Sequence, residues 1–248
     1  MPPRTIETRP IAAVLLDVDG TLLDTREFIL AAFEYAATVH GFANPGREAL
    51  AREVGRPLEV IYGRLAPRAT EAAIATHRAF QRDHLDLVRP FPGAAEALIA
   101  LHDSGLALAA VTSRSHRTAI PSLEVAGLAG LLDAVVAAED TPKLKPDPAP
   151  LLLAIERLGM VGLGAVMVGD TEHDIIAGRA AAMGTVAAVY GLHGSAVLKS
   201  CPDWQIEQIG GLPAVLASAA GAGRCGARRF QVLRAAWSVR GVSPPGWR

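Results

Sequence analysis

Two aspartates, Asp17 and Asp19, stand one residue apart at the end of an apolar run, Ile11 to Leu16, with Gly20 and Thr21 following. At an effective dielectric of about 20, two like charges some 4 Å apart repel by roughly 4 kcal/mol. A sequence that puts such a pair at the end of a buried strand points to a metal ion, or to carboxylates used in nucleophilic and acid/base chemistry. The bland reading of Asp-Val-Asp-Gly is a turn. A calcium loop of the helix–loop–helix type fails. Counted from Asp17, its fifth and sixth positions hold Thr21 and Leu22 instead of an acid or Asn and a Gly.

Two further apolar runs end in chemically capable residues. Ala109-Ala110-Val111 leads into Thr112-Ser113-Arg114, and Val166-Met167-Val168 leads into Gly169-Asp170-Thr171-Glu172-His173-Asp174. Lys145 lies in a loop just before a helix, in a chain where lysine is rare: only Lys143, Lys145 and Lys199 among 24 basic side chains. Open parallel sheets gather ligands beyond the carboxyl ends of their strands, so these groups are expected at one site. Together they suit nucleophilic phosphoryl transfer. One aspartate attacks phosphorus, and a second carboxylate protonates the leaving oxygen and then activates water. Thr112 holds a phosphate oxygen, and Lys145 places a compact positive charge between phosphate and carboxylate. Asp170 adds a third acid, and so many acids facing a phosphate call for Mg²⁺.

The elements that must position these groups follow from periodicity. Short apolar strands are expected at 11–17, 106–111, 134–137, 165–168 and 185–189, alternating with helices at 94–102, 115–126, 149–158 and 174–183. That alternation predicts an α/β fold with a doubly wound parallel sheet covered on both faces. Residues 25–88 hold no good strand but several helical stretches, including 72–88, and Pro90-Phe91-Pro92-Gly93 breaks the pattern. The predicted organisation is a catalytic core from residues 1–22 and 91–218, an inserted all-helical cap at 23–90, and a basic, poorly ordered tail at 219–248. The tail's only periodicity is Phe230, Leu233, Trp237.

Composition narrows the function. The 248 residues are half hydrophobic and carry a formal charge of −1. Six arginines and no acid lie from Ala219 to Arg248, which leaves about −7 on the rest and argues against nucleic-acid binding. Cys201 and Cys225 form no metal or disulfide framework. Met1 to Pro10 has no signal-peptide apolar region, and no apolar run reaches a membrane span. The expectation is a cytoplasmic protein with a small phosphorylated substrate and no nucleic-acid or membrane partner. No motif sets an oligomeric state.

Asp17-Val18-Asp19-Gly20-Thr21-Leu22, Thr112, Lys145-Pro146-Asp147-Pro148 and Gly169-Asp170-Thr171-x-x-Asp174 resemble the four ordered motifs of the haloacid dehalogenase superfamily. The likeness covers roughly residues 11–215 and is closest to the phosphoglycolate phosphatase group, with its pyrophosphatase-like members and their helical cap. It implies Asp17 as nucleophile and Mg²⁺ ligand, and Asp19 as acid/base that binds Mg²⁺ through its backbone carbonyl. It also implies Lys145 as the charge-steadying lysine, Asp170 as a Mg²⁺ ligand, and Asp174 as support for the metal or Lys145. Gly20, Thr112 and Ser113 are the expected phosphate-binding positions. Lys143, without a following Pro, is expected to be a solvated neighbour. The presence of Asp19 favours a phosphatase over a dehalogenase, and Ile29 disfavours a sugar phosphomutase, which carries His there.

Arg56, in the Gly55–Leu58 loop between cap helices, is the candidate contact for a substrate carboxylate or second phosphate. His77 and His84 are about 10.5 Å apart along one helix, too far to share an ion, and a structural or exposed role is expected for both. His173 is expected at the surface. The expected activity is phosphate release from a phosphoglycolate-like metabolite through an aspartyl-phosphate. The alternatives are an inorganic pyrophosphatase of the same mechanism, or a catalytically silent binding protein of the same fold whose tail docks to an acidic partner or membrane surface.

Overall fold

The strands are short runs of small and branched apolar residues that alternate between two covered faces. The computed structural model describes residues 11–54 and 56–221. β1 (Ile11–Leu16) is followed by a two-residue strand, β2 (Leu23–Asp24). Four helices come next: α1 (Arg26–His40), α2 (Arg47–Ala51), α3 (Leu58–Leu65) and α4 (Thr70–Asp83). β3 (Arg89–Pro90) then pairs antiparallel with β2. The rest alternates: α5 (Ala94–Asp103), β4 (Ala107–Val111), α6 (His116–Val125), β5 (Ala134–Val136), α7 (Ala149–Arg157), β6 (Gly164–Gly169), α8 (Glu172–Ala180), β7 (Gly184–Ala188), β8 (Trp204–Ile206) and α9 (Leu212–Gly221).

The main sheet has six strands in the order β5-β4-β1-β6-β7-β8, all parallel. This is the doubly wound α/β fold expected from the alternation of strands and helices. Along β1, Val14 and Leu16 join one core while Ala13 and Leu15 join the other, so both faces of the sheet are buried. The chain leaves β1 towards β4 on one side and later returns to β6 on the other. The carboxyl ends of β1 and β6 therefore flank the switch in strand order, where such sheets hold ligands. Register sharpens this: Leu16 pairs with both Ala110 and Val168, which brings Asp17, Thr112 and Asp170 out along one edge.

The helices between β2 and β3 form the cap. α1 packs along α4, and Phe33, Tyr62 and His77 meet ring to ring in its interior. Its apolar side is continuous with one of the sheet's cores through Val18, Leu22, Leu23 and Phe28. The ribbon of β2 and β3 is the strap at its base, a feature too short for any periodic signal in the sequence.

Three differences from the sequence reading have local causes. α4 stops at Asp83 instead of running to Val88, and His84 leaves helical geometry with its ring stacked on Phe80. β8 was not foreseen, because three residues give no alternation to read. Helix α9 reaches Gly221, past the expected start of the tail at Ala219. Residues 222–248, with Cys225 and the Phe230, Leu233, Trp237 spacing, lie outside the described residues, as do residues 1–10. Among the described residues no helix is long and apolar enough to cross a membrane.

Candidate active site

Each side chain of the site is placed by the end of a strand or the start of a helix. Asp17 continues β1, its N–H bonded to the Val168 carbonyl at 2.9 Å, so the residue is still held by the sheet. Its carboxylate meets Lys145: Nζ is 2.6 Å from Asp17 Oδ1, 2.7 Å from Asp174 Oδ1 and 2.8 Å from the Val111 carbonyl. All three of these charged side chains are buried. Burial alone would push the Lys145 ammonium down, but Asp17 and Asp174 on either side hold it above the usual lysine range. Burial pushes the Asp17 carboxyl up; Lys145 opposes this, while Asp174, Asp170 and Asp19 reinforce it.

Asp174 is fixed by the start of α8. Thr171 and Asp174 form a reciprocal cap, with Thr171 Oγ1 accepting from the Asp174 N–H and Asp174 Oδ2 accepting from the Thr171 N–H and hydroxyl. Asp170, at the end of β6, is fully buried. Its Oδ2 accepts the Leu192 N–H at 2.7 Å and lies 3.5 Å from His193 Nδ1. Its Oδ1 is buried with no donor among the described residues. Burial raises the Asp170 carboxyl, against the pull of His193.

A buried carboxylate oxygen without a donor, beside other acids, is the environment a hard cation completes. Asp17, Asp170 and Asp174 each offer an oxygen, all within 4.8 Å of one another. The donor set is all oxygen, which suits Mg²⁺ better than softer metals. The Asp19 carboxylate is not in this trio; it turns to Arg114, whose Nη1 is 3.2 Å away.

Glycines make the closeness possible. Gly20 has φ +81°, and a Cβ there would lie 2.3 Å from Asp170 Oδ2. Its N–H is bonded to the Leu23 carbonyl at 2.8 Å, and its lack of a Cβ leaves room for Asp170. A Cβ on Gly191 would lie 2.3 Å from both Asp170 Cβ and the Gly20 carbonyl.

Thr112 is buried at the end of β4, and its Oγ1 accepts the Arg114 N–H at 3.1 Å, which leaves the hydroxyl proton to be donated. Ser113 is half-buried beside it. Above these residues lies a cavity of about 270 Å³ between the sheet edge and the cap. Asp17, Asp19, Thr112, Ser113, Lys145 and Asp170 line its floor. Arg56 reaches it from the cap, 3.6 Å from Glu53 and about half exposed. Lys143 stays outside, exposed and paired with Asp147.

One histidine expectation changes and one holds. His173 is half-buried in the first turn of α8 and lines the cavity, where the surface was expected, because that turn faces the sheet edge. His77 is buried and hydrogen-bonded to Tyr62, as a structural histidine would be, and it also lines the cavity. Sequence reasoning missed Arg114 and the segment Tyr190–His193. Arg114 was visible as the third residue of the Thr112 run. For the segment, the available signal was Gly191-Leu192-His193 following β7 at the same sheet edge.

A capped, doubly wound α/β protein with buried acids and a lysine at the carboxyl edge of its sheet has the architecture of a hydrolase. The profile of haloacid dehalogenase-like hydrolases matches residues 14–188, and the chain belongs to that family. Pyrophosphatase PpaX of Halalkalibacterium halodurans is 36% identical over 203 residues, covering 78% of this chain and 94% of that protein. Pyrophosphatase PpaX of Bacillus pumilus is 32% identical over 83% of this chain and 96% of its own length. A crystal structure of a predicted phosphoglycolate phosphatase from Haemophilus somnus superposes with a TM-score of 0.77 at 21% identity, over 83% of this chain and 97% of that one. At that identity the likeness concerns the fold.

Proposed function

We propose that this protein is a Mg²⁺-dependent phosphohydrolase that works through an aspartyl-phosphate and takes pyrophosphate as its first substrate. The observation that carries the chemistry is Asp17 pinned by Lys145 between the sheet and Asp174. In this reading an Asp17 oxygen attacks phosphorus as the bond to the leaving oxygen breaks. Asp19 gives that oxygen its proton, then takes one from the water that hydrolyses the acyl phosphate. The Thr112 hydroxyl donates to a phosphoryl oxygen, with Ser113 beside it, and Lys145 balances charge between phosphate and nucleophile. Asp17, Asp170 and the Asp19 carbonyl would hold the cation, with Asp174 steadying Lys145. The cation would offset the negative charge of substrate and acids and keep Asp17 ionised for attack.

The preference for pyrophosphate rests on the PpaX relatives and on the cationic groups Arg56, Arg78 and Arg114 around the cavity. A second reading, an organic monoester such as phosphoglycolate, draws on the apolar part of the wall, Ile29, Val54 and Leu58. Phosphate release from both compounds, with Mg²⁺ and with chelator, tests the proposal in wild type and Asp17→Asn. Turnover that needs both Mg²⁺ and Asp17 supports it, and the better substrate chooses between the readings. A folded protein silent on both compounds and on a wider ester panel would favour the binding-protein alternative.

A further inference from the structure

Two polar side chains on α4 line the cavity with hydrogen-bonding capacity that no described residue uses. Gln81 is 6% exposed, and its carboxamide has no hydrogen-bond partner among the described residues. His77, one turn earlier on the same helix face, is 1% exposed. Its Nδ1 is bonded to the Tyr62 hydroxyl at 2.9 Å, and no described residue bonds its Nε2. Neither the carboxamide nor Nε2 is among the sealed, unpartnered polar atoms, so both reach the open space that their residues line. A buried amide left without a partner is costly, and one facing a cavity is satisfied by what fills it.

The tautomer of His77 follows from Tyr62. Among the described residues the phenol has one partner, His77 Nδ1, and burial pushes the phenol above the usual tyrosine range. The phenol therefore donates to Nδ1, and the ring's own proton sits on Nε2. Burial, with the nearby charges of Arg114 and Arg78, pushes His77 down to about 3, so the ring is a neutral donor. Two arginines stand near these groups, each paired with an acid. Arg78 lines the same wall, paired with Glu59, and Arg114 acts on His77 from the loop between β4 and α6. Arg114 also holds Asp19, which places this wall beside the group assigned to protonate the leaving oxygen.

We propose that the His77 Nε2–H and the Gln81 carboxamide form a leaving-group subsite, donating to a second oxyanion on the substrate. The proposal rests on the phosphohydrolase reading above. It narrows the substrate to a phosphate whose leaving group carries its own phosphate or carboxylate. A substrate with a plain alkyl or aryl leaving group leaves both donors unmatched, a source of discrimination.

The test is equilibrium binding by calorimetry to the full-length Asp17→Asn protein with Mg²⁺, which removes turnover from the readout. Inorganic phosphate, pyrophosphate and phosphoglycolate are titrated with and without Gln81→Met, a near-isosteric change. Tyr62→Phe, which frees Nδ1 and releases the tautomer, is the second variant. The expected result is a tenfold or greater loss of affinity for whichever two-anion ligand binds better, with phosphate changed less than twofold. Pyrophosphate as that ligand identifies a second phosphate at the subsite, and phosphoglycolate a carboxylate. Equal weakening of phosphate, no change, or no measurable binding of either two-anion ligand overturns the proposal. Wild-type turnover is measured separately: selective binding loss without hydrolysis would leave the subsite standing and remove the enzymatic reading.

Discussion

The Arg114 guanidinium holds the Asp19 carboxylate at 3.2 Å across 95 positions of sequence. The arginine is itself anchored. It donates to the Thr118 carbonyl and Ser122 Oγ, both at 2.8 Å, and lies over the Phe28 ring at 4.9 Å. The aspartate assigned to acid/base work is thus aimed by a cation fixed on α6, with an aromatic residue of the cap against its other face.

Arg114→Leu is expected to lower kcat for pyrophosphate by about 10- to 100-fold, less than the roughly 10²- to 10⁴-fold that a general acid contributes in full, because Asp19 is kept and only loses its aim. The loss should be much smaller with p-nitrophenyl phosphate, whose leaving group departs with less help from a proton. Steady-state kinetics on both substrates checks this. Equal losses on the two would mean that Arg114 serves phosphate binding and does not aim Asp19.

Asp17→Asn should abolish turnover without lowering stability in chelator. The ionised Asp17 is disfavoured by burial and by Asp174, Asp170 and Asp19, and Lys145 only partly offsets this. An Asn can still accept from Lys145 while removing one negative charge, so melting in chelator is expected at the wild-type temperature or above it. Mg²⁺ should raise the wild-type melting temperature by binding the folded state. Asp170→Asn should largely erase that rise, since it alters a buried carboxylate with an unpartnered oxygen. Thermal melts with Mg²⁺ or chelator test all three proteins.

Asp17, Asp170 and Lys145 were legible in the sequence because each is polar where the apolar pattern ends, and strand ends in a parallel sheet share one edge. Arg114 was legible as a residue but not in its role, which depends on how α6 and the cap meet. Gln81 carried no signal, and Gly191 only its place after a strand end at the same edge. A glycine's close approach and the face of a helix that borders a cavity are set by tertiary packing. The His77 position shows the same limit: spacing along α4 excluded a metal shared with His84, yet not the cavity that His77 borders.

Gly191→Ala is expected to weaken Mg²⁺ binding although no side chain of the site is changed. The new Cβ would lie 2.3 Å from Asp170 Cβ and from the Gly20 carbonyl, so the loop must move. That movement carries away the Leu192 N–H that holds Asp170 Oδ2. Loss of such a bond to a charged group is worth about 1.5–3 kcal/mol, or roughly 10- to 150-fold in affinity. Mg²⁺ titration followed by thermal shift measures it. Wild-type affinity in this variant would show that the loop does not position Asp170.

The buried His77 makes stability depend on pH in a way its replacement should remove. Burial, aided by Arg114 and Arg78, lowers it in the folded state to about 3, against about 6.5 for an unperturbed histidine. Above pH 6.5 the ring is neutral in both folded and unfolded chains and has no effect on the slope. Between about pH 6.5 and pH 3 the unfolded chain binds the proton and the folded one does not, so acidification favours unfolding. Each pK unit is worth about 1.4 kcal/mol, and integrated from pH 7.5 to pH 5 this one residue contributes a loss of about 2 kcal/mol. His77→Gln keeps a partner for the Tyr62 hydroxyl and lacks the titration. Urea unfolding of the two proteins at pH 7.5 and pH 5 should show a larger acid loss in wild type by about that amount. Parallel losses would mean that the folded chain accommodates a protonated His77, and the ring would then no longer be a strictly neutral donor in the cavity wall.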